Sequence, residues 1–203
     1  MTEPGFSRRS FLKGASLAAA IPQVSAQEPV TTSPPDVRVI GTEPAELRLT
    51  INGVERRFEV EPRTTLLDLL RDHADLTGTK KICDRGACGG CTVLLDGEPI
   101  NSCLTLAFDA EGRAIRTIEG LADGDRLHPV QAAFVRCDAL QCGFCTPGFV
   151  MSSVACLEHH AQLDRATLER ELSGNLCRCG TYGRILQAVE STRAGKPAKG
   201  DGK

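Results

Sequence analysis

The chain has 203 residues, a net charge of -2 and 4% aromatic residues with no tryptophan, enough for one large domain or two small ones. So even a charge balance lacks the concentrated basic face that nucleic-acid binding requires, and a core this poor in aromatics leaves room for something besides apolar burial to hold the fold. Ten cysteines are too many for an ordinary cytosolic enzyme and too few for a knotted mini-protein, so their spacing has to carry the chemistry.

The first element predicted is a targeting segment. Ser7-Arg8-Arg9-Ser10-Phe11-Leu12-Lys13 pairs two arginines ahead of a short alanine-rich run that ends in Val24-Ser25-Ala26, the layout of a twin-arginine signal peptide over residues 1–26 with cleavage near Ala26. Removing it takes away Arg8, Arg9, Lys13 and Glu3 and leaves a mildly acidic chain. No later segment approaches the ~18 consecutive apolar residues of a membrane span, so the expected location is the periplasm, without a membrane span. An oxidising compartment favours disulfides, but the twin-arginine route exports proteins already folded around their cofactors, which points to a cofactor loaded in the cytoplasm.

Residues 27–46 are proline-rich without helical period and are expected to form a linker. From Leu47 the pattern turns to period two: Leu47, Leu49 and Ile51 alternate with Arg48 and Thr50, then Asn52-Gly53 leads to an extended run ending at Val60. That is a hairpin signal, because both turn positions want positive φ. Thr65 followed by Asp68 resembles a capping box opening a helix from Leu66 to about Ala74, with Leu66, Leu67 and Leu70 on one face. After a cysteine-rich loop, "TVLLDGEPI" predicts strand, turn at Asp96-Gly97, and strand, and "AIRTI" (114–118) predicts a last strand. From Leu121 the period becomes helical. Pro129, Pro147 and Asp164 mark three helix starts, and Ile185, Leu186 and Val189 mark a fourth helix. The polar end from Ser191 to residue 203 is expected to be disordered. The fold class expected is α+β, a small mixed sheet with one helix over residues 47–120 followed by a four-helix domain over 121–190.

Two cysteine constellations fall inside this frame. "CDRGACGGC" places Cys83, Cys88 and Cys91 in a C-x4-C-x2-C pattern, with Cys103 further along. The first three match the plant-type spacing for a 2Fe-2S cluster, and Gly86, Gly89 and Gly90 let backbone N–H groups approach an anionic cluster without a Cβ in the way. Zinc sites use two separated pairs, whereas here three thiols share one loop. The second constellation, Cys142 and Cys145 with Cys177 and Cys179, is two separated pairs and by itself could hold zinc. A cluster in the first half tilts it toward iron and sulfur, and both pairs fall where helices begin. Cys137, Cys142 and Cys145 repeat the C-x4-C-x2-C spacing, but "CDALQC" lacks the glycines, so Cys137 and Cys156 read as buried structural thiols. His159-His160 closes a helix, and His73 and His128 have no partner spacing. No phosphate loop and no nucleophile with a base is present, so no catalytic residue is expected.

"CDRGACGGCTV", "LHPVQAAF", "QCGFCTPG" and "GNLCRCGTYGRI" together resemble the small iron–sulfur subunit of the xanthine oxidase (molybdenum hydroxylase) family, over about Leu47 to Val189. With the export signal, the resemblance is greatest to the periplasmic aldehyde oxidoreductases. It implies a β-grasp, ferredoxin-like domain holding one 2Fe-2S cluster on Cys83, Cys88, Cys91 and Cys103. It also implies a helical domain holding a second on Cys142, Cys145, Cys177 and Cys179, with Gln141 near the pterin of a molybdenum cofactor. That cofactor would sit in a large partner subunit, with electrons leaving to FAD in a medium subunit or to a cytochrome-type acceptor. Two departures stand out. Ile82 occupies a place where glycine is common, and Gly180-Thr181 reverses the commoner order. Neither alters ligand spacing. The rivals are a free-standing ferredoxin-like carrier, a zinc- or disulfide-stabilised module, and a hydroxylase of N-heterocycles rather than aldehydes.

Overall fold

The computed structural model describes residues 39–160 and 162–193. The signal peptide expected over 1–26, residues 27–38 of the expected linker and residues 194–203 of the expected tail lie outside the described residues, while Ala45 and Glu46 of that linker belong to the first strand and Ser191, Thr192 and Arg193 of that tail to the last helix. The described residues from Ile40 onward belong to one compact unit.

The two Xaa-Gly turns behave as their chemistry requires. Strand β1 (Ala45–Ile51) returns as β2 (Val54–Val60) through Asn52 and Gly53, at φ 51° and 79°. Strand β3 (Thr92–Leu95) returns as β4 (Glu98–Asn101) through Asp96 and Gly97, at φ 54° and 90°. Positive φ at both positions is the signature of a tight hairpin turn whose twist suits its strands. A short β5 (Ala114–Arg116) lies between the two hairpins, parallel to β1 and antiparallel to β3, giving the order β2-β1-β5-β3-β4.

The expected strand over 114–118 stops at Arg116 because a side chain takes the next ladder position. Asn52 Oδ1 accepts from the Thr117 amide at 2.8 Å, and Asn52 Nδ2 donates to Thr117 Oγ1 at 3.0 Å. The backbone then turns into a 3-10 turn over Ile118–Gly120.

Helix α1 opens at Leu66–Asp68, where the Thr65 hydroxyl accepts from the Asp68 amide at 3.1 Å. The reciprocal half of the capping box is replaced, since the Asp68 carboxylate bonds Lys81 at 2.8 Å instead. The helix continues as a π turn over Leu69–His73, a widened geometry that lets Leu66, Leu67, Leu69 and Leu70 all become fully buried. With Leu47, Leu49, Ile51, Val93 and Leu95, three of them, Leu66, Leu69 and Leu70, build the core of the sheet half.

The helical half consists of α2 (Pro129–Arg136), α3 (Thr146–His159), α4 (Arg165–Glu171) and α5 (Tyr182–Arg193). Asp164 caps α4, accepting from the Thr167 amide at 2.7 Å. His128, unassigned by spacing, caps α2: its Nδ1 accepts from the Val130 amide at 3.3 Å, while Gln131 Oε1 accepts from the His128 amide at 2.9 Å. Phe134, Phe149, Met151, Val154, Leu168, Ile185 and Val189 form a second core.

All four residues of β3 are buried. Val93 and Leu95 face the sheet core, but Leu94 points the other way and belongs to the helical core, a burial worth about 1.5–3 kcal/mol for a side chain of this size. A strand covered on both faces loses the apolar–polar alternation, and the sheet therefore carries a helical layer as well as α1.

Candidate cluster sites

The first site begins at Lys81, held between Asp68 at 2.8 Å and Asp84 at 3.2 Å. From there the loop curls through positive φ at Asp84, Gly86 and Gly89, at 54°, 70° and 66°, turning its amides inward. The Arg85, Ala87 and Cys88 amides reach the Cys83 sulfur. Led by the Arg85 amide and the Cys88 thiol, they draw the Cys83 thiol down to about 7. The Gly86 amide donates to Cys103 Sγ at 3.3 Å. Burial pushes Cys88 up and pushes Cys91 up to about 11, with Cys103 beside it.

Backbone demands glycine most clearly at Gly89, where φ is positive and a Cβ would lie 2.7 Å from the Gly174 carbonyl oxygen, whereas at Gly86 and Gly90 a Cβ would meet the movable ends of Leu104 and Ile82 at 2.3 Å. Leu67 of α1 covers Cys91 and Cys103 from within. Ser102 Oγ donates to the Cys91 carbonyl at 2.7 Å and Asn101 Nδ2 to the Gly86 carbonyl at 3.3 Å, fixing the fourth cysteine to the loop.

The second site is assembled from two helix approaches. Cys145 stands at the N-cap of α3, half-buried, and burial followed by the neighbouring Cys177 pushes its thiol up to about 12. Cys177 precedes α5. Burial raises its thiol, but the Thr181 hydroxyl and amide, the Cys145 thiol and the Cys179 amide outweigh this and bring it down to about 7. Its own amide donates to the Tyr182 hydroxyl at 2.8 Å. Gly143 and Gly180 supply the left-handed turns, at φ 81° and 80°. Cys142 and Cys179 are exposed and adjacent, and the Phe144 amide, then the Cys179 thiol, lower the Cys142 thiol. Gln141 is exposed beside them, with Leu140 and Phe144 as exposed apolar neighbours.

The eight sequence-predicted thiols thus gather two by two: Cys83 with Cys88, Cys91 with Cys103, Cys142 with Cys179, and Cys145 with Cys177. None of the ten cysteines is in a disulfide, and among the described residues no three His, Cys, Asp or Glu side chains converge as around a single ion. Two pairs per site, flanked by inward amides, fit a cluster of two irons that takes four thiolates. Cys137 joins no pair. It ends α2 and packs half-buried against the helical core rather than fully inside it, while Cys156 is buried within α3.

The two halves meet at the first cysteine loop. The Leu176 amide donates to the Cys88 carbonyl at 2.9 Å, and buried Asn175 donates to the Gly89 carbonyl at 3.0 Å. Gly148 of α3 lies so close that a Cβ would sit 2.2 Å from the Gly89 oxygen. Sequence reasoning left Asn175, Thr181 and Tyr182 without roles, since no ligand spacing marks second-layer donors.

Comparison with known proteins follows the same division. A family model described as a 2Fe-2S iron–sulfur cluster binding domain matches residues 49–122, and one described as a [2Fe-2S] binding domain matches residues 117–190. The aldehyde oxidoreductase iron–sulfur-binding subunit PaoA of Escherichia coli (strain K12) is 43% identical over 205 residues, covering 91% of this chain and 86% of that one. The nicotine 6-hydroxylase small subunit of Paenarthrobacter nicotinovorans is 48% identical over 160 residues, covering 79% and 93%. Among solved structures, quinoline 2-oxidoreductase from Pseudomonas putida 86 superposes with a TM-score of 0.71 at 45% identity, covering 75% of this chain and 98% of that one. Aldehyde oxidoreductase from Desulfovibrio gigas gives 0.70 at 37% identity, covering 74% of this chain and 17% of that much longer one.

Proposed function

The chain belongs to the two-cluster iron–sulfur subunits of the molybdenum hydroxylase (xanthine oxidase) family, and from this membership we propose the ligands, partners and route of its electron transfer. Cys83, Cys88, Cys91 and Cys103 hold one 2Fe-2S cluster, and Cys142, Cys145, Cys177 and Cys179 hold the other. Such clusters supply one-electron steps and leave substrate chemistry to a partner.

The observation that carries this reading is the junction of the sites. The Cys88 carbonyl accepts from the amide of Leu176, the residue next to Cys177, so a single hydrogen bond joins a ligand of one quartet to the chain neighbour of a ligand of the other. Inward amides from Arg85, Ala87 and Gly86 favour the charged sulfurs of the sheet half. In the helical half, exposed Cys142 and Cys179, ringed by Leu140, Phe144 and Gln141, form the face we assign to the large molybdopterin-binding subunit, with Gln141 toward the pterin. The sheet-half site then delivers electrons to FAD in a medium subunit or to an external acceptor.

Aldehyde oxidation to the acid is the favoured overall reaction, because the likeness to the aldehyde oxidoreductase subunit spans 91% of the chain. Hydroxylation of an N-heterocycle is the second reading, supported by the 48% identity to the nicotine 6-hydroxylase subunit. Among the described residues no helix is long and apolar enough to cross a membrane. Export to the periplasm rests on Arg8 and Arg9 of the signal segment.

The test is anaerobic cytoplasmic co-expression with a large molybdopterin-binding subunit from the same source. Two EPR-distinct centres, acid-labile sulfide and co-purification are expected, and an iron-free chain would overturn the reading. Oxidation of aldehydes, with N-heterocycles untouched, separates the two substrate classes. Replacing Arg8 and Arg9 by lysine should strand the loaded protein in the cytoplasm.

A further inference from the structure

Thr181 stands immediately before α5, where a threonine hydroxyl ordinarily accepts from an amide of the first helical turn. Here Thr181 Oγ1 lies 3.2 Å from Cys177 Sγ. Once that sulfur is a thiolate it has no proton to give, so the hydroxyl is the donor. The Thr181 and Cys179 amides reach the same sulfur, and Cys177 is the one buried thiol of its quartet. A charge-assisted hydrogen bond is stronger where water is excluded.

The geometry is held from both sides. Gly180 at φ 80° makes the left-handed turn that brings Thr181 back toward Cys177. The Ile185 amide donates to the Thr181 carbonyl at 3.0 Å and the Cys177 amide to the Tyr182 hydroxyl at 2.8 Å. Thr181 is thereby pinned by the first turn of α5, and Cys177 by the next residue of the same helix.

Resting on the cluster assignment above, we propose that Thr181 is a positioning residue that sets the reduction potential of the helical-half centre through its hydroxyl. Reduction adds one electron to that centre with no atom transferred. The extra negative charge spreads onto the sulfurs, a donor aimed at one of them stabilises the reduced state more than the oxidised one, and the potential rises.

The experiment is a redox titration of the fully loaded chain followed by EPR, in which the sheet-half centre serves as internal reference. Thr181→Val keeps the side-chain shape without the donor. It should move the potential of the helical-half centre to more negative values and leave the other centre in place. The sharing of one electron between the two centres should shift about tenfold toward the sheet half, the weight of one charge-assisted hydrogen bond.

Thr181→Ser, which keeps the hydroxyl, should restore the original potential. Unchanged potentials in Thr181→Val, or equal shifts of both centres, overturn the proposal. If Thr181→Val fails to retain its second cluster, Thr181→Ser decides alone: an original potential supports the hydroxyl's role and a displaced one overturns it. Failure of the cluster assignment itself is distinguishable, since the unsubstituted chain would then lack two centres to titrate.

Discussion

In the sheet half, the four proposed ligands follow one another from Cys83 to Cys103. Cys88, Cys91 and Cys103 are 8%, 3% and 5% exposed, closed in by Leu67 beneath and by a loop whose positive φ values aim amides at the sulfurs. In the helical half the ligands come from two turns, one leading into α3 and one into α5, separated in the chain by α3 and α4. Only Cys177 is buried there, and Cys142 and Cys179 open to the surface. A site made by one loop can be sealed by the sheet it is anchored to. A site made where two helix starts meet has an outer edge that its own helices do not cover. That edge, carrying Leu140, Phe144 and Gln141, is the surface proposed above for the large subunit.

The largest effects should break the comparison outright. Cys88→Ser is expected to remove the sheet-half EPR centre and about half the iron while sparing the other, and Cys145→Ser to do the reverse, because each cluster needs four thiolates. Cys137→Ser should leave both centres, as Cys137 joins no thiol pair; loss of a centre in that variant would reassign the helical quartet. Next, a chelator should bleach the helical-half signal faster than the sheet-half signal in the isolated chain, and adding the large subunit should bring the two rates together. Equal rates without the partner would contradict the exposure difference.

Gly148→Ala sharpens the comparison at the join. Its methyl would sit 2.2 Å from the Gly89 oxygen, backbone that cannot rotate aside, so thermal unfolding should report about 1–3 kcal/mol of lost stability from overpacking. Thr65→Ala removes the α1 cap and should cost about 1 kcal/mol in the same measurement. The smallest effect is expected for Arg116→Ala. It breaks the surface bridge from β5 to Glu158 of α3, where partly exposed pairs are worth at most about 1 kcal/mol.

The amino-acid sequence by itself determined the features that depend on neighbours along the chain. Asn52-Gly53 and Asp96-Gly97 specify hairpin turns because few other pairs accept two left-handed residues in succession. Thr65 and Asp164 each cap the helix that follows, and the Cys83 to Cys91 spacing with its glycines announces an anionic cluster loop. The helix starts near Pro129 and Pro147 were legible for the same local reason.

Tertiary structure alone decided what depends on residues far apart. Leu94 faces the helical core because β3 is covered on both sides, and the three apolar residues after Thr92 do not say which core each one joins. Strand β5 ends early because Asn52, distant in sequence, takes the Thr117 amide. His128 became a cap, Cys137 came to rest half-buried, and Thr181 turned its hydroxyl to Cys177. Which thiols are sealed and which are open also follows from how the helices pack on the sheet. Spacing encodes bonding capacity, whereas burial and hydrogen-bond direction are properties of the packed chain.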